Sequence, residues 1–363
     1  MKIGIVTLTG YWNYGNRLQN LALKTVLENK FNEDVTTVRT WQAELENGRV
    51  HSIRHLLSLA KHRKLFSTLR LRKRVESFKI FSEQFLNESA EIATVDNYVS
   101  ILEKFDKVVV GSDQVWNPEW LSDSELDFFL LAGVRNDKRI SYAASFGVDN
   151  VDAYASSFER ELPKFSAISV REQTGVDIVS GIGHSEAALV LDPTMLLTKS
   201  DWEKLADTQE WSSKDYVFEY FLGPKSDTTN MAEKKITNIV GHSIAFNNPN
   251  HHSKQYYGES PLNFVNGIRN AKVVITDSFH AAVFALIFGI PVFIAERSDA
   301  KLGSRLVTLF GRIGRDVPLV SQILEEDYQI PEITNGVDEE LAKYREMSMQ
   351  FLKKSLNNGL KNS

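Results

Sequence analysis

The sequence predicts an α/β protein built as two Rossmann-like domains that face each other across a cleft. Three observations carry this. Short apolar, β-rich runs alternate with helix-length segments, the pattern of parallel strands covered by helices. The alternation starts afresh near residues 190–215. The chain has 363 residues, more than the roughly 250–300 at which single cores stop growing. A (β/α)8 barrel is the competing architecture, but long segments such as 44–98 break the even rhythm it needs.

The first series of strand candidates is "KIGIVTL" (2–8), "DVTTVRT" (34–40), "KVVVGS" (107–112), "RISYAASF" (139–146) and "AISVRE" (167–172). The second is "AALVLDP" (187–193), "DYVFEYFL" (215–222), "HSIAFN" (242–247), "KVVITDS" (272–278) and "PVFIAER" (291–297). Helices are expected over 16–30, 280–288 and 337–360, with a further start at Ser200-Asp201-Trp202. These elements divide into a first domain over 1–190, with a basic helical insertion at 44–98, and a second over 191–335. A C-terminal helix within 336–363 then packs back across both.

Composition narrows the function. The net charge of −5 excludes a protein that is basic overall, so any capture of an anion must be local. No apolar run reaches the roughly 18–20 residues of a membrane span, and the N-terminus lacks a signal-peptide layout, so a cytoplasmic location is expected. With no cysteine, disulfides, thiolate metal sites and cysteine nucleophiles are excluded. Residues 54–80 carry nine Lys or Arg against Glu76 alone. They read either as a peripheral contact with the inner membrane face or as the solvated face of a helix.

Three strand-to-loop junctions carry unusual polarity, and open α/β sheets bind ligands at such places. In "TGYWNYGNRLQN" the residues Gly10, Trp12, Asn13, Gly15, Asn16 and Arg17 lead into a helix whose free N–H groups can meet an anion or a hydroxyl, or Asn16 simply caps it. In "VVVGSDQVWNPEW" a strand ends at Ser112-Asp113. Asp113 can act as a general base or clamp a hydroxyl, and Trp116 and Trp120 offer faces to a sugar. The alternative is a capped turn with the indoles in the core. In "VVITDSFHAAVFALIFGIPVFI" either Asp277 or Ser278 caps a helix and His280 stands in its first turn. A helix N-terminus disfavours a cationic imidazole, while a bound dianion favours it, which suits a general acid; a structural histidine is the plain alternative.

Arg171 closes the strand "AISVRE", and Lys301 and Arg305 follow the last strong strand, so several cations can gather around one helix start. His251 and His252 sit in a polar loop, no carboxylate cluster or HExxH completes a metal site, and no GxSxG elbow marks a hydrolase.

The sequence resembles the polysaccharide pyruvyl transferase family. The resemblance rests on "NYGNRLQN", "VVVGSDQVWNP", "SYAASFG", "ISVRE", "LDPTMLL" and "TDSFHAAVFALIFGIPVFI", in order over roughly residues 3–310. It implies a GT-B-like domain pair, phosphoenolpyruvate as donor co-substrate with no further cofactor, and a glycan or lipid-linked sugar as acceptor. The product it implies is a pyruvyl ketal. By this resemblance His280 is the acid and Arg171 contacts the donor. Ser278, Lys301 and Arg305 join the donor side by position, while Asn13, Asn16, Arg17 and Trp116 stand on the acceptor side, with Asp113 orienting or deprotonating a hydroxyl. One departure stands out, because the family's Arg-Leu-His form is here Ser278-Phe279-His280. Two other readings share the architecture: a nucleotide-sugar glycosyltransferase and a non-catalytic glycan-binding protein.

Overall fold

The computed structural model of the protein describes residues 1–11, 13–42, 65–182, 186–246, 256, 258–295 and 303–358. Five parallel strands form the N-terminal sheet: β1 (Lys2–Val6), β2 (Asp34–Thr40), β3 (Glu88–Ala93), β4 (Lys107–Val110) and β5 (Arg139–Ser141), in the order β3-β2-β1-β4-β5. Bridges from Ile140 to Ala167 and from Ala144 to Val170 continue it into the short pair β6 (Ser169–Val170) and β7 (Ala188–Leu189). The result is the doubly wound order, which reverses direction between β1 and β4. All four residues of β4, Lys107 to Val110, are buried, as expected where helices cover both faces of a parallel sheet.

The C-terminal sheet contains β8 (Val217–Tyr220), β9 (Ser243–Ala245), β10 (Val273–Thr276) and β11 (Val292–Ile294), all parallel, in the order β11-β10-β8-β9. Its order reverses between β8 and β10. Helix α1 (Tyr14–Phe31) starts where the Asn13 side chain accepts the Gly15 N–H, and it ends at Asn32 in the left-handed conformation.

The segment 44–98 departs from expectation. Helix α2 (Leu65–Phe85) buries Val75, Phe78 and Phe81 in the main core, and β3 pairs with β2. The described part is therefore the crossover unit of the N-terminal sheet, with no insertion character. Arg74, from the basic stretch, is fully buried with its guanidinium 4.7 Å from the Tyr14 ring and 5.6 Å from Phe78. Arg74 thus serves the core, while its neighbours Arg72 and Lys73 are exposed. Residues 54–64 lie outside the described residues. No described helix is long and apolar enough to cross a membrane.

The remaining helices are α3 (Tyr98–Leu102), α4 (Asp123–Phe129), α5 (Ala155–Glu161), α6 (Gln173–Gly181), α7 (Lys199–Ala206), α8 (Asp227–Val240), α9 (Pro261–Arg269), α10 (Phe279–Phe288), α11 (Ser304–Arg312) and α12 (Asp338–Asn357). The two halves share one core. Tyr14 of α1 is fully buried, stacks on Phe264 of α9 at 4.8 Å, and meets Tyr220 edge-on at 5.7 Å. Helix α12 returns along this seam: Ser348 accepts the Leu191 N–H at 2.9 Å, Arg345 donates to the Met195 carbonyl, and the Lys107 ammonium reaches the Asn358 carbonyl.

Every residue of α10 is buried, so its apolar faces are used on all sides. It stops at Gly289, whose φ of 75° is left-handed. A Cβ there would lie 2.1 Å from the Thr334 carbonyl oxygen. Gly289→Ala is expected to cost about 1–3 kcal/mol in urea unfolding. Gly311→Ala in α11, with no atom within 4 Å of the added Cβ, should leave stability unchanged or raise it by about 0.5–1 kcal/mol.

Candidate functional site

The carboxyl ends of the two sheets meet at their reversal points. On the N-terminal side, Gly111 to Asp113 leave β4 and are tied to the neighbouring elements. Thr7 donates to the Ser112 carbonyl at 3.1 Å, and the Ser112 N–H donates to Gln19 at 3.0 Å. Asp113 has a φ of 74°, a left-handed conformation that aspartate tolerates better than most residues. On the C-terminal side, Asp277 follows β10 and accepts the N–H groups of Leu222 at 2.7 Å and Gly223 at 2.8 Å, which fixes the loop after β8. Ser278 then caps α10, its hydroxyl accepting the Ala281 N–H.

At the centre lies Asp192, the residue that begins the turn Pro193–Met195. It is fully buried. Its Oδ1 accepts the Thr194 N–H at 3.0 Å and the Thr194 hydroxyl at 2.7 Å. Its Oδ2 accepts the Ser112 hydroxyl at 2.9 Å and Arg171 Nη1 at 2.9 Å, and His280 Nε2 stands 3.5 Å away. Arg171 spends its other terminal nitrogen on Asp113, with Nη2 2.9 Å from Oδ1, and the Phe279 ring lies 4.8 Å from its guanidinium. The His280 ring also packs against the start of α1, where a Cβ on Gly15 would lie 2.0 Å from Nδ1.

Arg305 of α11 enters from the other half. With the Gln114 amide oriented so that its oxygen faces the guanidinium, that oxygen accepts from Nη1 at 2.6 Å and Nη2 at 2.7 Å. The Gln173 N–H donating to the Thr308 hydroxyl at 3.3 Å adds a second link between the halves, this one from α6 to α11.

These charges perturb one another. Burial works against ionisation of Asp192, yet His280, Arg171 and Thr194 hold its carboxyl far below the usual carboxylate range. Asp113 is likewise buried and likewise lowered, by Arg171, His280 and Arg305. For Glu172 burial wins, and its carboxyl is pushed up despite Arg171 and Arg305. Burial and the like charge of Arg171 bring Arg305 down to about 10, which leaves it cationic at neutral pH.

The structure thus gathers His280, Arg171, Arg305, Asp113 and Ser278 in one place. Several expected roles change. Asp113 is an ionised carboxylate already paired with Arg171, so it is a poor base and a good anchor. Ser278 is only 1% exposed and its hydroxyl is used for capping. Trp116 is fully buried with its indole N–H donating to the Phe129 carbonyl at 3.1 Å, and it presents no face to a sugar; Trp120 is 64% exposed. Arg17 is fully buried and pairs with Glu88 of β3 and the Ser82 hydroxyl. Asn16 is buried with its side-chain Oδ1 unpartnered among the described residues, while Asn13 is half-buried and caps α1. Trp12, Lys301, His251 and His252 lie outside the described residues. Sequence reasoning missed Asp192 and Gln114. The available signal for Asp192 was the aspartate that ends "ALVLDP", the same strand-tip position that drew attention to Asp113.

Two facing doubly wound sheets with a charged centre at their carboxyl edges define a GT-B-like architecture. Similar solved structures are the UDP-GlcNAc 2-epimerase of Methanocaldococcus jannaschii in complex with UDP-GlcNAc and UDP, at 14% identity and a TM-score of 0.53, covering 98% of this chain and 100% of that one. The UDP-GlcNAc 2-epimerase of Neisseria meningitidis bound to UDP-GlcNAc is similar at 12% identity and a TM-score of 0.53, with both chains covered in full. At such identities the likeness shows the fold. No curated relative matches the chain. The profile of the polysaccharide pyruvyl transferase family matches residues 13–299, most of the chain. The chain belongs to that family, a family of transferases.

Asp192→Asn removes one charge from a buried pair and is expected to cost about 3–5 kcal/mol at neutral pH. The native carboxyl titrates below its unfolded value near about 3.9, so its contribution is present above that value and disappears as pH falls through the lower native one. Urea unfolding of both proteins should therefore show their difference narrowing in acid.

Proposed function

We propose that the protein transfers the pyruvyl group of phosphoenolpyruvate onto two hydroxyls of a sugar in a polysaccharide or its lipid-linked precursor. The observation that supports this best is the meeting of His280, Arg171 and Arg305 beside the N-terminus of α10, in a chain of this family. A proton from His280 adds to C3 of the donor and C2 takes on oxocarbenium character. A sugar hydroxyl forms a bond to C2 and gives its proton to the imidazole, which restores the acid. A second hydroxyl of the same sugar then forms the other C–O bond as the C2–O bond to phosphate breaks. One ketal and one inorganic phosphate result, and phosphate carries away the net proton.

Both terminal nitrogens of Arg171 are held, one by Asp192 and one by Asp113, so it shapes the field at the site while remaining in place. Arg305 is the cation that meets the donor's phosphate, exchanging the neutral Gln114 oxygen for an anion. It supplies the positive charge that Ser278 lacks. Trp120, exposed in the loop after β4, offers an aromatic face to the acceptor.

Phosphate release from phosphoenolpyruvate with a panel of glycan acceptors tests the reading. His280→Gln should lower the rate by roughly 10²–10⁴-fold, and Arg305→Met should raise KM for phosphoenolpyruvate by about tenfold or more. Stabilisation against heat by UDP-GlcNAc, with none by phosphoenolpyruvate, would instead establish a nucleotide-sugar enzyme.

A further inference from the structure

The two ring nitrogens of His280 have unlike surroundings. Nε2 is buried, 3.5 Å from Asp192 Oδ2, and has no hydrogen-bond partner among the described residues within strict geometry. The face of the ring at Nδ1 packs on the first turn of α1, where a Cβ on Gly15 would lie 2.0 Å from Nδ1 and 2.4 Å from Cγ, so only the absence of a side chain there leaves room for the ring. We propose that Asp192 is a positioning residue that fixes the Nε2–H tautomer of His280, leaving Nδ1 beside Gly15 as the nitrogen that exchanges the proton with the donor. The second half of this proposal rests on the pyruvyl-transfer reading; the first does not.

The argument is one of matching donors to acceptors. An ionised carboxylate only accepts hydrogen bonds. A lone pair on Nε2 turned towards Oδ2 would set acceptor against acceptor in a dry interior, whereas an N–H there meets a charge. The other charged groups near the ring are committed elsewhere. Asp113 holds Arg171, Glu172 accepts the Phe146 N–H at 3.2 Å, Arg305 lies on Gln114, and Asp277 on the ring's own side accepts Leu222 and Gly223. Asp192 is the carboxylate left to orient the imidazole. It is itself oriented, because Thr194 donates twice to Oδ1 while Ser112 and Arg171 donate to Oδ2, the oxygen that faces the ring. The tautomer is thereby set before any substrate arrives, and no ring rotation is needed during turnover.

The test uses the whole chain labelled with 15N-histidine and long-range 1H–15N correlation spectra without ligand, at about pH 9, above the ordinary imidazole range. The His280 signals are identified by their loss in His280→Gln. The expected pattern is Nε2–H in the wild type and in Ser112→Ala, which keeps the carboxylate, and a mixed or reversed pattern in Asp192→Asn. An Nδ1–H pattern in the wild type overturns the proposal, as does an unchanged Nε2–H pattern in folded Asp192→Asn. Should that variant not fold, the wild-type spectrum decides alone. Gly15→Ala, which crowds Nδ1, should lower phosphate release at least tenfold; an unchanged rate overturns the assignment of Nδ1. If the wild type shows Nε2–H yet releases no phosphate with any acceptor, the pyruvyl-transfer reading fails and the positioning role stands.

Discussion

The carboxylate of Asp192 is shut away from water, its charge is met by Arg171 of the N-terminal half, and the imidazole of His280 from the C-terminal half stands 3.5 Å from it. Removing an ion from water costs several kcal/mol unless partners meet it with good geometry. Here the partners are also the groups that chemistry would use. The same bonds that make the charge tolerable therefore fix where a histidine and an arginine stand. A site assembled in this way has little freedom to adjust, which suits electrostatic work on a developing charge.

The fold delivers these groups because both sheets reverse their strand order at the same seam. β4 and β10 each end in a polar turn there, and α1 and α10 both begin there, close enough that Gly15 and His280 touch. Around this polar centre the seam is closed by apolar contacts. Tyr14 stacks on Phe264, α12 lies against the junction, and the Arg305–Gln114 bond joins the halves. Arg305 is the exception to the rigidity, since its partner is a neutral amide that an anion can outbid. Arg171, between two aspartates, has no such freedom.

Much of the fold was legible because buried parallel strands are nearly continuous apolar runs. β2 matches its expected span of 34–40, and α10 begins one residue before the expected 280. β3 was hidden for the opposite reason. "ESAEIA" lies at the edge of its sheet with charged and partly exposed residues, so it lacks the apolar signature. Missing β3 also misplaced Arg17, whose partner Glu88 belongs to it. The runs at 139–146, 167–172 and 187–193 gave only short strands; isolated bridges at Ala144 continue the first, and the polar ends Arg171 and Asp192 of the other two turn into the site. Strand-tip position singled out Asp113, Arg171 and His280, and position after the last strand singled out Arg305; the structure brings the four together. It did not separate Asp113 as anchor from Asp113 as base, because that depends on which cation folds against it. Trp116 and Trp120 differ by four positions in one loop, and only the packing around Phe129 decides which is buried.

The central claim, that one carboxylate couples the two halves at this site, is tested most directly by a double-mutant cycle. Unfolding free energies of wild type, Asp192→Asn, His280→Gln and the double variant at neutral pH give the coupling. A value of about 1 kcal/mol or more is expected for residues in one network, whereas additivity within about 0.3 kcal/mol would contradict the account.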